Sequence, residues 1–174
     1  ILLGRRNSGK SSLINALTGQ DIAIVSDVAG TTTDLVKRSY EIPDFASVIF
    51  IDTAGIDDSG PLGEMRVEKT RNAISQADMA LLVITNNHFG EHERQLAEQL
   101  KKSEIPFLVI HNKRDEVALT PALKEKLTTT YHCPVIDYST REDNTDLILD
   151  ALKSTWKQDN APKSLIGDLL SPGD

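Results

Sequence analysis

An α/β fold, doubly wound around a mostly parallel six-stranded sheet with one antiparallel strand, is predicted by three features of this 174-residue sequence. From about residue 63 onward, segments with helical apolar spacing alternate with short apolar runs, the pattern of strand–helix–strand crossovers. The runs Met79-Ala-Leu-Leu-Val-Ile84 and Ile105 to His111 are apolar without a polar alternation, as strands buried on both faces must be. Ahead of them, Leu35 to Ile42 and Ser47 to Ile51 flank Pro43-Asp44, so the antiparallel strand belongs to a hairpin.

Taken in order, Ile1-Leu2-Leu3 suits the end of a buried strand, and Ser12 to Leu17 has helical apolar spacing with Gly19 where a C-cap belongs. Gln20 to Thr33 shows neither period and reads as a loop, followed by the hairpin and then by the acidic loop Asp52 to Pro61. Met65, Val67, Thr70, Ala73 and Ile74, interleaved with charges, predict a helix from Gly63. Next come the strand at Met79–Ile84, a helix over Glu91–Lys102, the strand at Ile105–His111, a helix over Pro121–Tyr131 and a short strand over Val135–Tyr138. The last helix, Thr145–Trp156, places Leu147, Ile148, Ala151, Leu152 and Trp156 on one face. Residues 1–157 therefore form one domain. Residues 158–174, with Pro162, Pro172 and the apolar Leu165, Ile166, Leu169 and Leu170, read as a linker or the start of a following domain of a longer protein.

Composition narrows the class. Hydrophobic residues at 39% and charged residues at 26% are ordinary for a soluble domain, and a net charge of −7 provides no overall basic field, so nucleic acid is not expected as a partner. The apolar runs are too short to span a bilayer and no signal segment opens the chain, which predicts a cytoplasmic protein without a membrane partner. Cys133 is the only cysteine, so no internal disulfide and no iron–sulfur ligand set can come from this chain, and Cys133 itself reads as a half-buried apolar residue.

The chemistry starts at Gly4-Arg5-Arg6-Asn7-Ser8-Gly9-Lys10-Ser11, which fits the spacing Gly, four residues, Gly-Lys-Ser between an apolar run and a helix. Gly9 permits a tight turn, so that successive backbone N–H groups and the start of the next helix face one concavity that suits an anion. Lys10 adds an ammonium for β and γ phosphates, and the Ser11 hydroxyl can reach a magnesium ion bridging them. Gly4, Asn7, Ser8, Gly9, Lys10, Ser11 and Ser12 are thus candidate triphosphate contacts. This loop alone leaves ATPases, kinases and GTPases open. Asn112-Lys113-Arg114-Asp115, just past a buried strand, separates them. Asp115 can accept from the N1–H and exocyclic amine of guanine, a donor pair that adenine lacks. The Lys113 stem can lie over the base, and the Asn112 amide can tie the two loops together.

On these motifs the chain resembles the translation-factor-like GTPases, P-loop NTPases with a Ras-like G domain, over residues 1 to about 157. That resemblance implies further assignments. Within Gly30-Thr31-Thr32-Thr33-Asp34, Thr32 would close on magnesium and the γ phosphate, with Thr31 its competitor; in Asp52-Thr-Ala-Gly55, Asp52 would hold magnesium through water and the Gly55 N–H would contact the γ phosphate. Lys10, Thr32 and Gly55 become the catalytic set, and Ser11, Thr32 and Asp52 the magnesium set. Ser139-Thr140-Arg141 would stand for the base-contacting Ser-Ala-Lys motif, from which it departs. Gly30-Thr-Thr-x-Asp34 together with Asn7 resembles the group that contains the tRNA-modification GTPase and the ribosome-assembly GTPases Era and EngA. In that group the matching asparagine can coordinate potassium, so Asn7 either holds that ion or only stabilises its loop. Ile56 stands where Ras-like proteins place a water-orienting glutamine and cannot hydrogen-bond water, which leaves potassium, a partner or Glu64 for that role.

Gly63-Glu-Met-Arg-Val-Glu-Lys-Thr70 and Ser164 to Asp174 narrow the resemblance to the GTPase domain of the HydF family, which matures FeFe hydrogenases. What this implies is a GTP- and magnesium-dependent switch, slow in hydrolysis. It would act on dimerisation and iron–sulfur domains of the same longer protein, with the hydrogenase and other maturases as partners. The alternatives are a ribosome-assembly or tRNA-modification GTPase, and a GTP-binding module whose hydrolysis is vestigial. His88-Phe-Gly-Glu-His92 matches a zinc-peptidase pattern, but Gly90 weakens a helix there and a loop or helix start is the better reading.

Overall fold

Apolar runs at the predicted positions build the sheet of the computed structural model, which describes residues 1–5, 8–18, 36–42, 45–52, 70–141 and 145–159. Strand β1 (Leu2–Gly4) leads into helix α1 (Lys10–Thr18), and β2 (Val36–Ile42) and β3 (Ala46–Asp52) form the hairpin. After a helical stretch at 70–75 come β4 (Ala80–Ile84), α2 (Glu91–Lys102), β5 (Phe107–His111), α3 (Pro121–Tyr131), β6 (Val135–Asp137) and α4 (Asp146–Asp159).

The six strands lie in the order β2-β3-β1-β4-β5-β6. Only the β2–β3 pair is antiparallel, as the two flanks of a hairpin must be. Leu2 pairs with both Asp52 and Leu81, Ile84 with His111, and His111 with Asp137. The carboxyl ends of the parallel strands therefore line one edge. The chain crosses from one side of β1 to the other there, the switch point at which such sheets bind ligands.

Neighbouring residues on each parallel strand feed opposite cores, the two-sided burial that their unbroken apolar runs predict. Leu2, Leu81 and Leu108 pack with Leu13 and Leu17 of α1 and Ile148 and Leu152 of α4. Leu3, Leu82 and Val109 pack instead with Ala73, Ile74, and residues of α2 and α3.

Four expectations need correction. Leu147 is 48% exposed rather than buried, because Ile148 and Leu152 take the sheet-facing side of α4 and one residue turns the helix by roughly 100°. Cys133 is fully buried, not half-buried. Ile105 belongs to the turn closing α2, where its N–H donates to Leu100 O at 2.9 Å and Glu104 has φ +58°, so β5 starts two residues late. Helix α4 runs past Trp156 to Asp159, since nothing in Lys157-Gln158-Asp159 stops it. No helix among the described residues is long and apolar enough to cross a membrane.

Candidate functional site

Two glycines shape the loop after β1. Gly4 has φ +147°, and a Cβ there would lie 2.4 Å from Val83 O; Gly9 has φ +86°, and a Cβ there would lie 2.5 Å from Asn112 Nδ2. Positive φ disfavours a side chain at both positions; at Gly4 the neighbouring strand β4 also excludes one, and at Gly9 a side chain would displace the Asn112 amide. Ser8 N–H and Ser8 Oγ both donate to Arg5 O, at 3.1 and 2.7 Å, which closes the turn. The first intrahelical bond of α1 runs from Leu13 N to Gly9 O at 2.9 Å, so the N–H groups of Lys10, Ser11 and Ser12 precede the helical ladder. Those groups and the positive end of the helix dipole suit an anion. Lys10 is buried and donates from Nζ to Gly4 O at 2.6 Å, while Ser11 and Ser12 lie exposed in the first turn.

The loop after β5 packs directly on this turn. Asn112 is buried, its N–H donates to Ile84 O at 2.7 Å, and its Nδ2 donates to Ser8 O at 3.0 Å. Asn112 Oδ1 is buried without a hydrogen-bond partner among the described residues. Lys113 takes the left-handed conformation, φ +62°, and its Cε lies 3.6 Å from the position a Gly9 Cβ would occupy. Arg114 N–H donates to Tyr138 O at 3.0 Å. Asp115 Oδ1 accepts from Ser139 Oγ at 2.8 Å, and the Ser139 hydroxyl accepts from Arg141 N at 3.1 Å. Ser139 is fully buried, so it bears on the loop through Asp115, while Thr140 is exposed.

One edge thus collects Gly4, Ser8, Gly9, Lys10, Ser11, Ser12, the end of β3 at Asp52, Asn112, Lys113, Asp115, Ser139 and Thr140. Asn7, Thr31, Thr32, Gly55, Ile56 and Glu64 lie outside the described residues. A helix start for phosphate, a buried Asn112 oxygen unpaired among the described residues and a carboxylate at Asp115 together fit a nucleotide with phosphates at one end and a donor-bearing base at the other.

Sequence reasoning missed a tie on the phosphate loop. Arg5 Nε donates to Glu93 Oε2 at 2.6 Å across 88 residues, and Gly90 N–H donates to Glu93 Oε1 at 2.9 Å, capping α2. Burial by itself would raise the Glu93 carboxyl pKa, but the Arg5 and Gly90 bonds outweigh it and hold it below the ordinary value. The spacing Gly90-x-x-Glu93 was the available signal, since it places a carboxylate at the third helical position. His88 lies before α2 and His92 inside it, so the pair does not share a helical turn. A groove of about 390 Å³, lined by Ile1, Phe50, Met79, Leu152 and Trp156, sits at the opposite, amino-terminal edge of the parallel strands.

The family model described as "50S ribosome-binding GTPase" matches residues 1–113. The tRNA modification GTPase MnmE of Hydrogenovibrio crunogenus is 39% identical over 126 residues, 72% of this chain and 28% of that protein. The MnmE of Legionella pneumophila is 35% identical over 162 residues, 91% of this chain and 33% of that protein. The chain thus spans about a third or less of these relatives' length. Among solved structures, Aquifex aeolicus Era bound to GDP and AlF4− superposes with a TM-score of 0.70 at 25% identity, covering 88% of this chain and 55% of that one. The G domain of the T. maritima FeoB iron transporter superposes with a TM-score of 0.62 at 23% identity, over 91% of this chain and 95% of that one, and shares the fold.

Proposed function

Because this chain belongs to the 50S ribosome-binding GTPase family, we propose that it is the slow, cation-sensitive GTP switch of a longer protein, with residues 1–157 as its G domain and 158–174 leading onward. GTP binding and hydrolysis, with magnesium, follow from the family. The observation that carries the assignment to these residues is the Asn112 Nδ2–Ser8 O bond at 3.0 Å, which joins the phosphate loop to the loop bearing Asp115.

In the proposed mechanism, the Gly9–Ser12 N–H groups and Lys10 hold the β and γ phosphates, with Lys10 Nζ leaving Gly4 O to do so. Ser11 and Asp52 would hold magnesium, joined by Thr32, and the metal would supply positive charge to neutralise the phosphates. Asp115 accepts from guanine while Ser139 fixes its other side. Thr32 and Gly55 would close on the γ phosphate and open after in-line attack by water, and Asn7 would hold potassium. The test is GTP hydrolysis with magnesium in potassium against sodium, in the wild type and in Asn7→Ala. Stimulation by potassium in the wild type alone supports the cation-sensitive reading; equal rates in both cations exclude it. Replacing Lys10 by Ala should abolish useful turnover.

The relatives bear the name of tRNA modification, which favours tRNA modification as the task of the longer protein and speaks against the expectation that nucleic acid is no partner. With a net charge of −7, RNA contact would fall to a local patch or to another part of that protein. The wording of residues 63–70 and 164–174 favours a second reading, hydrogenase maturation, although both stretches lie almost wholly outside the described residues. tRNA affinity that falls steeply with salt in the full-length protein supports the first reading. A bound iron–sulfur cluster without tRNA affinity supports the second.

A further inference from the structure

Residue His111 closes β5 immediately before Asn112 and is completely buried, yet both of its ring nitrogens are engaged. Its Nδ1 lies 2.9 Å from Asp137 Oδ1, and its Nε2 accepts from Asn87 N–H at 3.1 Å. A backbone N–H can only donate, so Nε2 is the bare nitrogen and the proton sits on Nδ1, donated to the carboxylate. Asp137 Oδ2 in turn accepts from Leu119 N–H at 3.1 Å. The Asn87 side chain reaches the same segment, with Nδ2 donating to Ala118 O at 2.9 Å and Oδ1 accepting from Thr120 N–H at 2.8 Å. Asn86 and Asn87 turn the chain here with φ of +54° and +55°, a conformation that asparagine tolerates better than most residues.

These bonds straddle the base-recognition loop. His111 anchors it on one side of Asn112–Asp115, and Leu119 and Thr120 anchor it on the other, both against the ends of β4 and β6. We propose that His111, Asp137 and Asn87 are positioning residues for guanine selection, holding the loop so that Asp115 meets the base. The inference rests on the guanine-nucleotide reading above. The phosphate loop closes on its own Ser8–Arg5 bonds, and its tie to the base loop, Asn112 Nδ2 to Ser8 O, belongs to a side chain outside the His111–Asp137–Asn87 network. Loosening the network should therefore weaken the part of binding due to the base and leave the part due to phosphate unchanged.

Asp137→Asn is the sharpest probe. To keep its bond to Leu119 N–H the new amide must aim its oxygen there, which turns its NH2 toward His111 Nδ1 and forces the imidazole proton onto Nε2, facing Asn87 N–H. Asn87→Gly is a milder probe that keeps the positive φ and the backbone N–H and removes only the side-chain ties. The experiment measures dissociation constants for GTP, ATP and inorganic tripolyphosphate with magnesium, using this chain as wild type, Asp137→Asn, Asn87→Gly and Asp115→Asn. Asp137→Asn is expected to cut the GTP-over-ATP preference at least about tenfold. Asn87→Gly should cut it by less, and tripolyphosphate binding should stay unchanged in both. If Asp137→Asn does not fold, Asn87→Gly carries the test alone. A wild type that prefers GTP, with the preference unchanged in the variants or with tripolyphosphate weakened in step, overturns the inference only. A wild type without that preference, or an Asp115→Asn variant that retains it, overturns the guanine reading and this inference together.

Discussion

Glu93 shows how one buried carboxylate can serve the phosphate loop from another element. It is 1% exposed, and its bonds to Arg5 and Gly90 hold its carboxyl below the ordinary value of 4.5. A carboxyl whose folded pKa is depressed stabilises the fold above its unfolded value, and loses that contribution as pH falls through the folded one. Glu93→Gln should therefore destabilise the chain by about 1–2 kcal/mol at pH 7, the low end for a bond to a charged group because Arg5 is half exposed. The gap to the wild type should narrow as the pH drops below the carboxylate range. Thermal denaturation across pH measures this, and a gap that stays constant to acid pH would show that the Arg5–Glu93 charge pair contributes nothing.

Helix ends are where local sequence and local structure agree best in this chain. Helix α2 carries Glu91 and Glu93 in its first turn and Lys101 and Lys102 in its last, each sign at the end of the helix dipole that favours it. Helix α3 starts with Thr120 as N-cap, its hydroxyl accepting from Leu123 N–H at 3.3 Å, and with Pro121 in the first turn. Thr120→Ala should cost about 1 kcal/mol in urea unfolding. Nucleotide preference should be kept, because the Thr120 N–H bond to Asn87 Oδ1 is a backbone contact. A cost near zero would mean that the long cap bond contributes little.

Across the molecule, the two cores make Cys133 a reporter of unfolding. The thiol is buried beside Val135 and Tyr131, and burial pushes its pKa up to about 11, with Lys101 opposing. Little thiolate is present near neutrality, and a reagent must wait for the fold to open. Labelling by a thiol reagent at pH 8 should be slow in the native chain and should rise with urea in step with loss of helical circular dichroism. Immediate stoichiometric labelling without denaturant would place Cys133 at an accessible surface instead.

Local chemistry made much of this legible in advance. Gly4-x4-Gly9-Lys10-Ser11 and Asn112-x-x-Asp115 are recognisable because each function resides in a few consecutive residues, and the unbroken runs of β4 and β5 announce two-sided burial. The sequence by itself determined the strand and helix order and the parallel sheet, and it supplied the residues proposed for phosphate and base. Only the tertiary structure decided that Ser139 braces Asp115, that Arg5 meets Glu93, that His111 joins Asn87 to Asp137, and that Leu147 faces outward. Periodicity records which side of an element is apolar, whereas these contacts depend on which strand lies beside which. That order, β2-β3-β1-β4-β5-β6, is set by packing across the whole sheet.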